Sequence, residues 1–362
     1  MLNWTFSVGE EMKRIVYALL TLVMSLVLIT GCGTENASQG TKQENHTITD
    51  IGGAQVQLPT EVKRIADLWP ANNQVVLMLG GADKLVATTQ YVQTLPWFSH
   101  IYPKIKDISA PDRFGFDVQL EELQKVKPEV IIVNSKKQAE QVRQGGFTAV
   151  QMEFTDYKGL REVVTMTADI LGDKAPDIAK NYITYLDKNI GIAEDKTKAL
   201  TDAERPTVMH IASGENLLKV DGTKTIIDEW IRYAGGKNAI DQKGRGLTLT
   251  MEEIIKANPD IIIVGDVNSK AAIEKIMNDP QWSSIKAVQN RRVYSNPVGT
   301  FKWDRYSAES ALQILWAGQI IQPQLFNDID LVKETKSFYK TFLHYDLSDA
   351  EAQRIIAGEG PQ

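Results

Sequence analysis

The feature that most constrains this chain is a long helical stretch with matching segments on either side. Residues 173–200 place Ile178, Tyr182, Tyr185, Leu186, Asn189 and Ala193 at three- and four-residue steps, the spacing of one helix face. Asp173 is positioned to cap the start, and Pro176 falls in the first turn, where a missing N–H costs nothing. Gly191 weakens the helix by about 1 kcal/mol relative to Ala. Roughly 28 residues at 1.5 Å each would span about 40 Å, the width of a domain. Before this helix comes LEELQKVKPEVIIV (residues 120–133), and after it MEEIIKANPDIIIV (residues 251–264). Each reads as a short amphipathic helix, a Pro-acid turn and a buried strand. A second echo joins QVVLMLGG (74–81) to EWIRYAGG (229–236). Helix–Pro–strand is a common α/β idiom, but two echoes in the same order predict a duplicated architecture with a cleft between the halves.

At 362 residues the chain exceeds one ordinary domain, so two are expected. The reading is an α/β protein of two lobes, residues 47–172 and 203–362, the latter with closing helices. Residues 173–202 form the linking helix. Each lobe alternates strands and helices, so largely parallel sheets flanked by helices are expected. A net charge of −6 and no basic run give no support to nucleic-acid binding. Cys32 is the only cysteine, which excludes an internal disulfide and a Cys-based metal site.

The N-terminus has a targeting pattern. Met12, Lys13 and Arg14 precede a mostly apolar run from Ile15 to Ile29, then Thr30, Gly31 and Cys32. The run is too short to span a bilayer comfortably and ends in small residues. Residues 1–31 therefore read as a leader and signal peptide with its start at Met12. ITGC (29–32) resembles the bacterial lipobox, whose cysteine is diacylated and becomes the mature N-terminus; an incidental Cys is the alternative. Residues 32–46 are polar and read as a flexible tether.

In a parallel sheet, ligands sit beyond the carboxyl ends of the strands. In the first lobe that rule selects Trp69, Tyr91, the turn at Asp112, Arg113 and Phe114, and Ser135 with Lys136. Residues 92–116 read as a long binding loop. Packing under a loop would account for Trp69 and Tyr91 equally well, and Arg113 would otherwise be a solvated loop charge. In the second lobe the rule selects Arg245, Trp303 and Arg305. Pairing of Arg305 with Asp304 or Glu309 is the competing reading.

Several chemistries are missing. No Gly-rich phosphate loop follows the first strand, and no Gly-x-Ser-x-Gly elbow appears. His46, His100, His210 and His344 lack metal-ligand spacing. His210 reads as a core residue; His100 is a candidate axial ligand to haem or a chelated metal. Enzyme function has little support, and neither a resident cofactor nor a protein-held metal is expected.

The lipobox, the paired helix–Pro–strand segments, and YAGGKN (233–238) together resemble the substrate-binding lipoproteins of ABC importers, the class that handles iron–siderophore complexes, haem and vitamin B12. The resemblance covers residues 47–345. WDRYSAE (303–309) is similar to the branch assigned to iron complexes. The resemblance implies a ferric siderophore as cargo, with haem, cobalamin or a nickel chelate as alternatives. A free metal-ion binder, an enzyme and a purely structural lipoprotein are more distant readings. It also implies a monomer lipid-anchored on the extracytoplasmic face, and permease subunits with their cytoplasmic ATPase as partners. Each lobe is expected to dock through an acidic residue on its first helix. Glu229 occupies that position in the second lobe; Gln74 occupies it in the first, a departure from the family's usual Glu.

Siderophores are bulky and often anionic. A guanidinium stays charged and donates paired hydrogen bonds to carboxylate or catecholate oxygens. Arg113 from one lobe and Arg245 and Arg305 from the other are expected to clamp the ligand, with Trp69, Tyr91, Phe114 and Trp303 as flat apolar walls. A single linking helix resists wide hinge bending, so lobe closure should be small.

Overall fold

The computed structural model describes residues 46–113, 117–266 and 269–362. The lipobox, Cys32 and Phe114 lie outside the described residues. A hairpin, β1 (His46–Thr49) with β2 (Gln55–Leu58), opens the fold one residue earlier than the tether reading placed it. The first sheet holds β3 (Ile65–Asp67) and β4 (Leu85–Ala87). A two-stranded ribbon, β5 (Asp112–Arg113) with β6 (Asp117–Val118), comes next. β7 (Val130–Val133) and β8 (Ala149–Gln151) complete that sheet in the order β4-β3-β7-β8. All its pairings are parallel.

The second half contributes β9 (Thr207–Ile211), β10 (Lys219–Asp221), β11 (Lys237–Asn238), β12 (Leu247–Thr248), β13 (Ile261–Val264) and β14 (Val293–Ser295). Their order is β12-β10-β9-β13-β14, with β11 also beside β9. β9, β11, β13 and β14 run parallel, whereas β10 and β12 form an antiparallel edge. That edge was invisible in the sequence, because two- and three-residue strands carry no measurable period.

The aliphatic strands explain the layering. Val130 and Ile132 point into the same core as Ile261 and Ile263. Their neighbours Ile131 and Val133 face a separate outer cluster in the first half, and Ile262 and Val264 face one in the second. Each strand is apolar on both faces because both are covered. The shared core also takes in Tyr182, Leu186, Trp303 and Leu312, so it runs through both halves and the helices between them.

The linking helix spans Ala175–Thr197, 23 residues, or about 35 Å. Lys174, not Asp173, is the cap residue, and it supplies no side-chain bond. Asp173 has φ +52° and binds Lys84 Nζ at 2.7 Å instead. The buried face holds Ala179, Tyr182, Leu186, Asn189 and Ala193. Tyr182 Oη and Asn189 Nδ2 donate to the Ala308 and Ala311 carbonyls, each at 2.8 Å. These bonds tie the helix to the start of Ser310–Ile321 and the turn before it; that helix is buried at ten of its twelve positions.

The expected binding loop at residues 92–116 is largely helical. Helices Gln90–Thr94 and Pro96–Ile101 and a 3-10 turn Pro103–Asp107 fill it. Thr89 caps the first, a proline starts each of the others, and Trp97, Phe98 and Ile105 enter the core. The aromatic content that suggested a ligand surface is mostly packing. Residues from the far end of the chain cover this region. Trp97 Nε1 donates to the Glu359 carbonyl at 2.7 Å, and His100 Nε2 lies 2.9 Å from Tyr345 Oη and 3.1 Å from Glu351 Oε1.

Candidate functional site

Two buried polar networks organise the second half. The first centres on His210, in the middle of β9. Its Nδ1 lies 2.7 Å from Asp221 Oδ2, and its Nε2 lies 2.8 Å from Asp304 Oδ2. A ring with a carboxylate at each nitrogen donates on both sides only as imidazolium. Burial opposes that charge, but the two carboxylates outweigh it and raise the His210 pKa. Asp304 continues the chain, accepting from Arg305 Nε at 2.9 Å and Nη2 at 2.7 Å. Burial works against the Asp304 charge, yet Arg305 and His210 hold its carboxyl far below the usual range. Arg305 Nη2 also donates to the Gly265 carbonyl at 2.6 Å. Asp221 Oδ1 accepts from the Gly246 N–H at 2.8 Å, which fixes the loop that carries Arg245. The result is a row of alternating charge: Asp221, His210, Asp304, Arg305.

Gly265 makes that row possible. A Cβ there would sit 2.0 Å from Asp304 Oδ2 and 2.3 Å from His210 Nε2. Gly265→Ala is therefore expected to lower stability by about 1–3 kcal/mol and to distort the row. Thermal unfolding checks the first effect, and the His210 ring proton shifts in NMR check the second.

Beside this row lies a cavity of about 310 Å³, lined by Lys219, Asp221, Arg245, Gly246 and Arg305 among others. Arg245 is exposed, and its guanidinium sits 4.1 Å from the centre of the Tyr306 ring. Neither Arg245 nor Lys219 has a carboxylate partner among the described residues. Tyr306 in turn meets Phe154 (4.6 Å between centroids) and Trp69 (6.0 Å), both from the first half. The cavity thus adjoins the seam between the halves.

The second network centres on Glu309. It accepts from Thr300 Oγ1, Phe301 N, Trp303 Nε1, Tyr339 Oη and Gln74 Nε2. Burial pushes its carboxyl pKa up, and the four second-half donors work against that. Gln74 Oε1 accepts from Ser307 Oγ at 3.1 Å and Ala308 N at 2.7 Å. Gly299 leaves the room here, since a Cβ there would lie 1.9 Å from Glu309 Oε1.

These networks relocate several residues selected from the sequence. Arg245 and Arg305 line one cavity. Arg305 is paired with Asp304, as the competing reading had it, but its Nη1 makes no hydrogen bond within the described residues; Glu309 does not pair with it. Trp303 is 0% exposed and bonded to Glu309, so it is not a ligand wall. Trp69 is 4% exposed and packs on Phe154 and Tyr306. Tyr91 packs edge-on to Phe301 across the halves. Ser135 caps the helix Lys136–Gln144. The Arg113 backbone forms β5; its side chain lies outside the described residues. His100 Nε2 is engaged by Tyr345 and Glu351. Among the described residues no cluster of three or more His, Cys, Asp or Glu could hold a metal.

The two docking positions differ in what they can present. Gln74 is 0% exposed with both amide atoms engaged, so it cannot present itself to another protein. Its amide also explains the departure from Glu: a carboxylate there would face Glu309. Glu229 is half-buried and accepts from Tyr157 N at 2.8 Å, at the start of the helix Tyr157–Leu171. Both echo positions reach into the opposite half. Lys219, Asp221, His210 and Tyr306 were not selected from the sequence. A histidine inside an otherwise aliphatic strand was the one available sign.

The model of the family described as periplasmic binding protein matches residues 65–298. The chain belongs to the periplasmic binding protein family. This family member is 25% identical, over 75% of its length and 87% of the relative's, to the uncharacterised ABC transporter substrate-binding lipoprotein YvrC of Bacillus subtilis. Among solved structures it resembles a periplasmic solute binding protein of Veillonella parvula, with TM-score 0.75, 30% identity and coverage of 86% of this chain and 97% of that one. It also shares its fold with the molybdate-bound MolA of Haemophilus influenzae, with TM-score 0.75, 18% identity and coverage of 84% and 99%. YvrC and MolA are named as binding proteins of ABC transporters. No helix among the described residues of this periplasmic binding protein is long and apolar enough to cross a membrane.

Proposed function

We propose that this protein is the extracytoplasmic receptor of an ABC importer, tethered through an acylated Cys32, which captures a ferric siderophore and delivers it to a permease. The observation that carries this reading is the cationic cavity of the second half, beside Tyr306. Arg245 and Lys219 pair with no carboxylate there among the described residues, Asp221 being engaged by His210 and Gly246, and Arg305 keeps part of its side chain exposed. Such a wall suits a cargo with carboxylate or catecholate oxygens. A second reading, a free oxyanion, is favoured by the cavity's size, near the lower end for ligand sites, and by the molybdate-bound relative of the same fold.

A thermal-shift screen against a ferric catecholate, a ferric hydroxamate, haem, cobalamin and molybdate tests the cargo. A ligand at 100 times its Kd stabilises by about 2.7 kcal/mol. A clear rise with the ferric catecholate is expected, and a rise with haem or cobalamin alone would replace the siderophore reading.

Permease contact requires acids that are free, one in each half. The repeated helices Leu120–Val126 and Met251–Ala257 offer Glu121 and Glu252 at equivalent positions, both exposed. Reversing both to Lys should abolish cargo uptake by cells while leaving binding to the purified protein unchanged. Uptake that survives the double reversal would remove these acids from the docking surface.

A further inference from the structure

We infer that the C-terminal segment, residues 345–360, is a strap that pins the two halves along one edge of their sheets, so that movement between them opens at the opposite edge, beside Arg245. The segment is first built into the second half. Ser348 caps the helix Asp349–Ile356, and Ala352 and Ile355 are buried in the shared core. The Ile355 carbonyl accepts from Val298 N at 3.1 Å, just past β14. Gly358, with φ +70°, then turns the chain tightly against the end of that strand. A Cβ there would lie 2.6 Å from the Asn296 carbonyl oxygen, so no side chain fits.

The same segment reaches into the first half. The Glu359 carbonyl accepts from Trp97 Nε1 at 2.7 Å, while its carboxylate accepts from Lys270 Nζ of the second half at 2.9 Å. One residue therefore holds both halves. Tyr345 Oη and Glu351 Oε1 meet His100 Nε2 at 2.9 and 3.1 Å, and bond each other at 3.1 Å. Arg354 Nε donates to the Gly360 carbonyl at 2.7 Å, which stiffens the tail.

Strand order places these ties. Trp97 and His100 lie on a helix that follows β4, the outer strand of the first sheet, and the Gly358 turn lies on β14, the outer strand of the second. The opposite edges are β8 and β12. There the ties come from single side chains. Phe154, just past β8, meets Tyr306 ring to ring, and the Tyr306 hydroxyl has no hydrogen-bond partner among the described residues. Tyr157 bonds through its N–H to Glu229 and through its hydroxyl to the Ser310 carbonyl. Ring contacts tolerate sliding that directional hydrogen bonds do not. The cavity of the second half lies at this looser edge, lined by Lys219 and Asp221 of β10 and by Arg245 and Gly246 beside β12. Two bodies tied by a length of chain at one edge and by side chains at the other move by a small rotation about the tied edge. The strap needs no cargo to act.

Distances between paired spin labels, read by pulsed electron resonance on the full chain carrying Cys32→Ser, test this without cargo. Lys106→Cys with Glu274→Cys reports on the β4–β14 edge, and Lys137→Cys with Thr248→Cys on the β8–β12 edge; all four positions are exposed. The second pair should give a distance distribution about twofold wider than the first. Trp97→Phe combined with His100→Ala removes the strap's side-chain bonds to the first half and leaves Ala352 and Ile355 in the core. It should widen the distribution of the first pair about twofold. Equal widths for the two pairs with the strap unaltered would overturn the pivot, and that comparison requires no change in the strap. A first pair left unchanged by the double variant would overturn the strap itself. If the double variant fails to fold, Trp97→Phe alone, which deletes only the N–H donor, is read in the same way.

Discussion

Gln74→Glu is expected to lower the unfolding free energy by about 3–5 kcal/mol at pH 7.5, as when a buried charge loses its compensation. The amide nitrogen of Gln74 donates to Thr300 Oγ1 and Glu309, and its oxygen accepts from Ser307 and Ala308. A glutamate keeps the acceptor and replaces the donor by a second anion against Glu309, out of water. Two carboxylates so placed share a proton, so the pair's folded pKa rises above the unfolded value. A raised folded pKa means stability present at low pH and lost as pH rises. The penalty should therefore shrink between pH 7.5 and pH 5. Gln74→Met, which removes the bonds without adding charge, should cost less at pH 7.5 and show no such recovery. Urea unfolding of the three proteins at both pH values checks this. Equal penalties for the two variants at pH 7.5 would refute the charge argument.

His210→Leu is the second large effect, expected at about 3–5 kcal/mol because it strands two buried carboxylates. His210 has a raised folded pKa. Its contribution is therefore fully present below the unfolded value of about 6.5 and is lost as pH rises through the folded pKa. Asp221 and Asp304 have lowered pKa values despite burial, held there by His210 and, for Asp304, first by Arg305. Their contribution runs the other way: present above about pH 4 and lost on acidification. The gap between wild type and variant should thus be widest near pH 5–6.5 and narrow above neutrality. A gap that stays constant from pH 5 to pH 9 would mean that His210 is neutral.

The layout of the halves was legible because it is written in local pattern. The segments at 120–133 and 251–264 each became a short helix, a left-handed turn and a four-residue aliphatic strand. The turns sit at Lys127 (φ 43°) and Asn258 (φ 44°), each just before the proline. Pro128 and Pro259 cannot extend a helix, and four aliphatics in a row fit only a strand covered on both faces. The linking helix was legible for the same reason. The site was legible only in part. Arg245 and Arg305 stood out as arginines beside strand ends, but what positions them lies elsewhere in the chain. His210 meets Asp304 from 94 residues away, and Gln74 meets Glu309 from 235. No period or spacing records such a meeting. His210 was read as a buried histidine, which is its place but not its charge. Trp303 misled because a large aromatic beside a strand end looks alike whether it faces a ligand or a buried carboxylate.

The contact between Trp97 and Glu359 bears on how such a chain comes to be folded. The two partners are 262 residues apart, and synthesis delivers them in that order at about 5–20 residues per second. Until residues 345–359 are made, the Trp97 indole N–H and His100 lack the partners they have in the folded structure. The edge of the early half is finished only when nearly everything else has emerged. Whatever brings the early half to its final packing, that edge can be sealed only by a segment made 262 residues later.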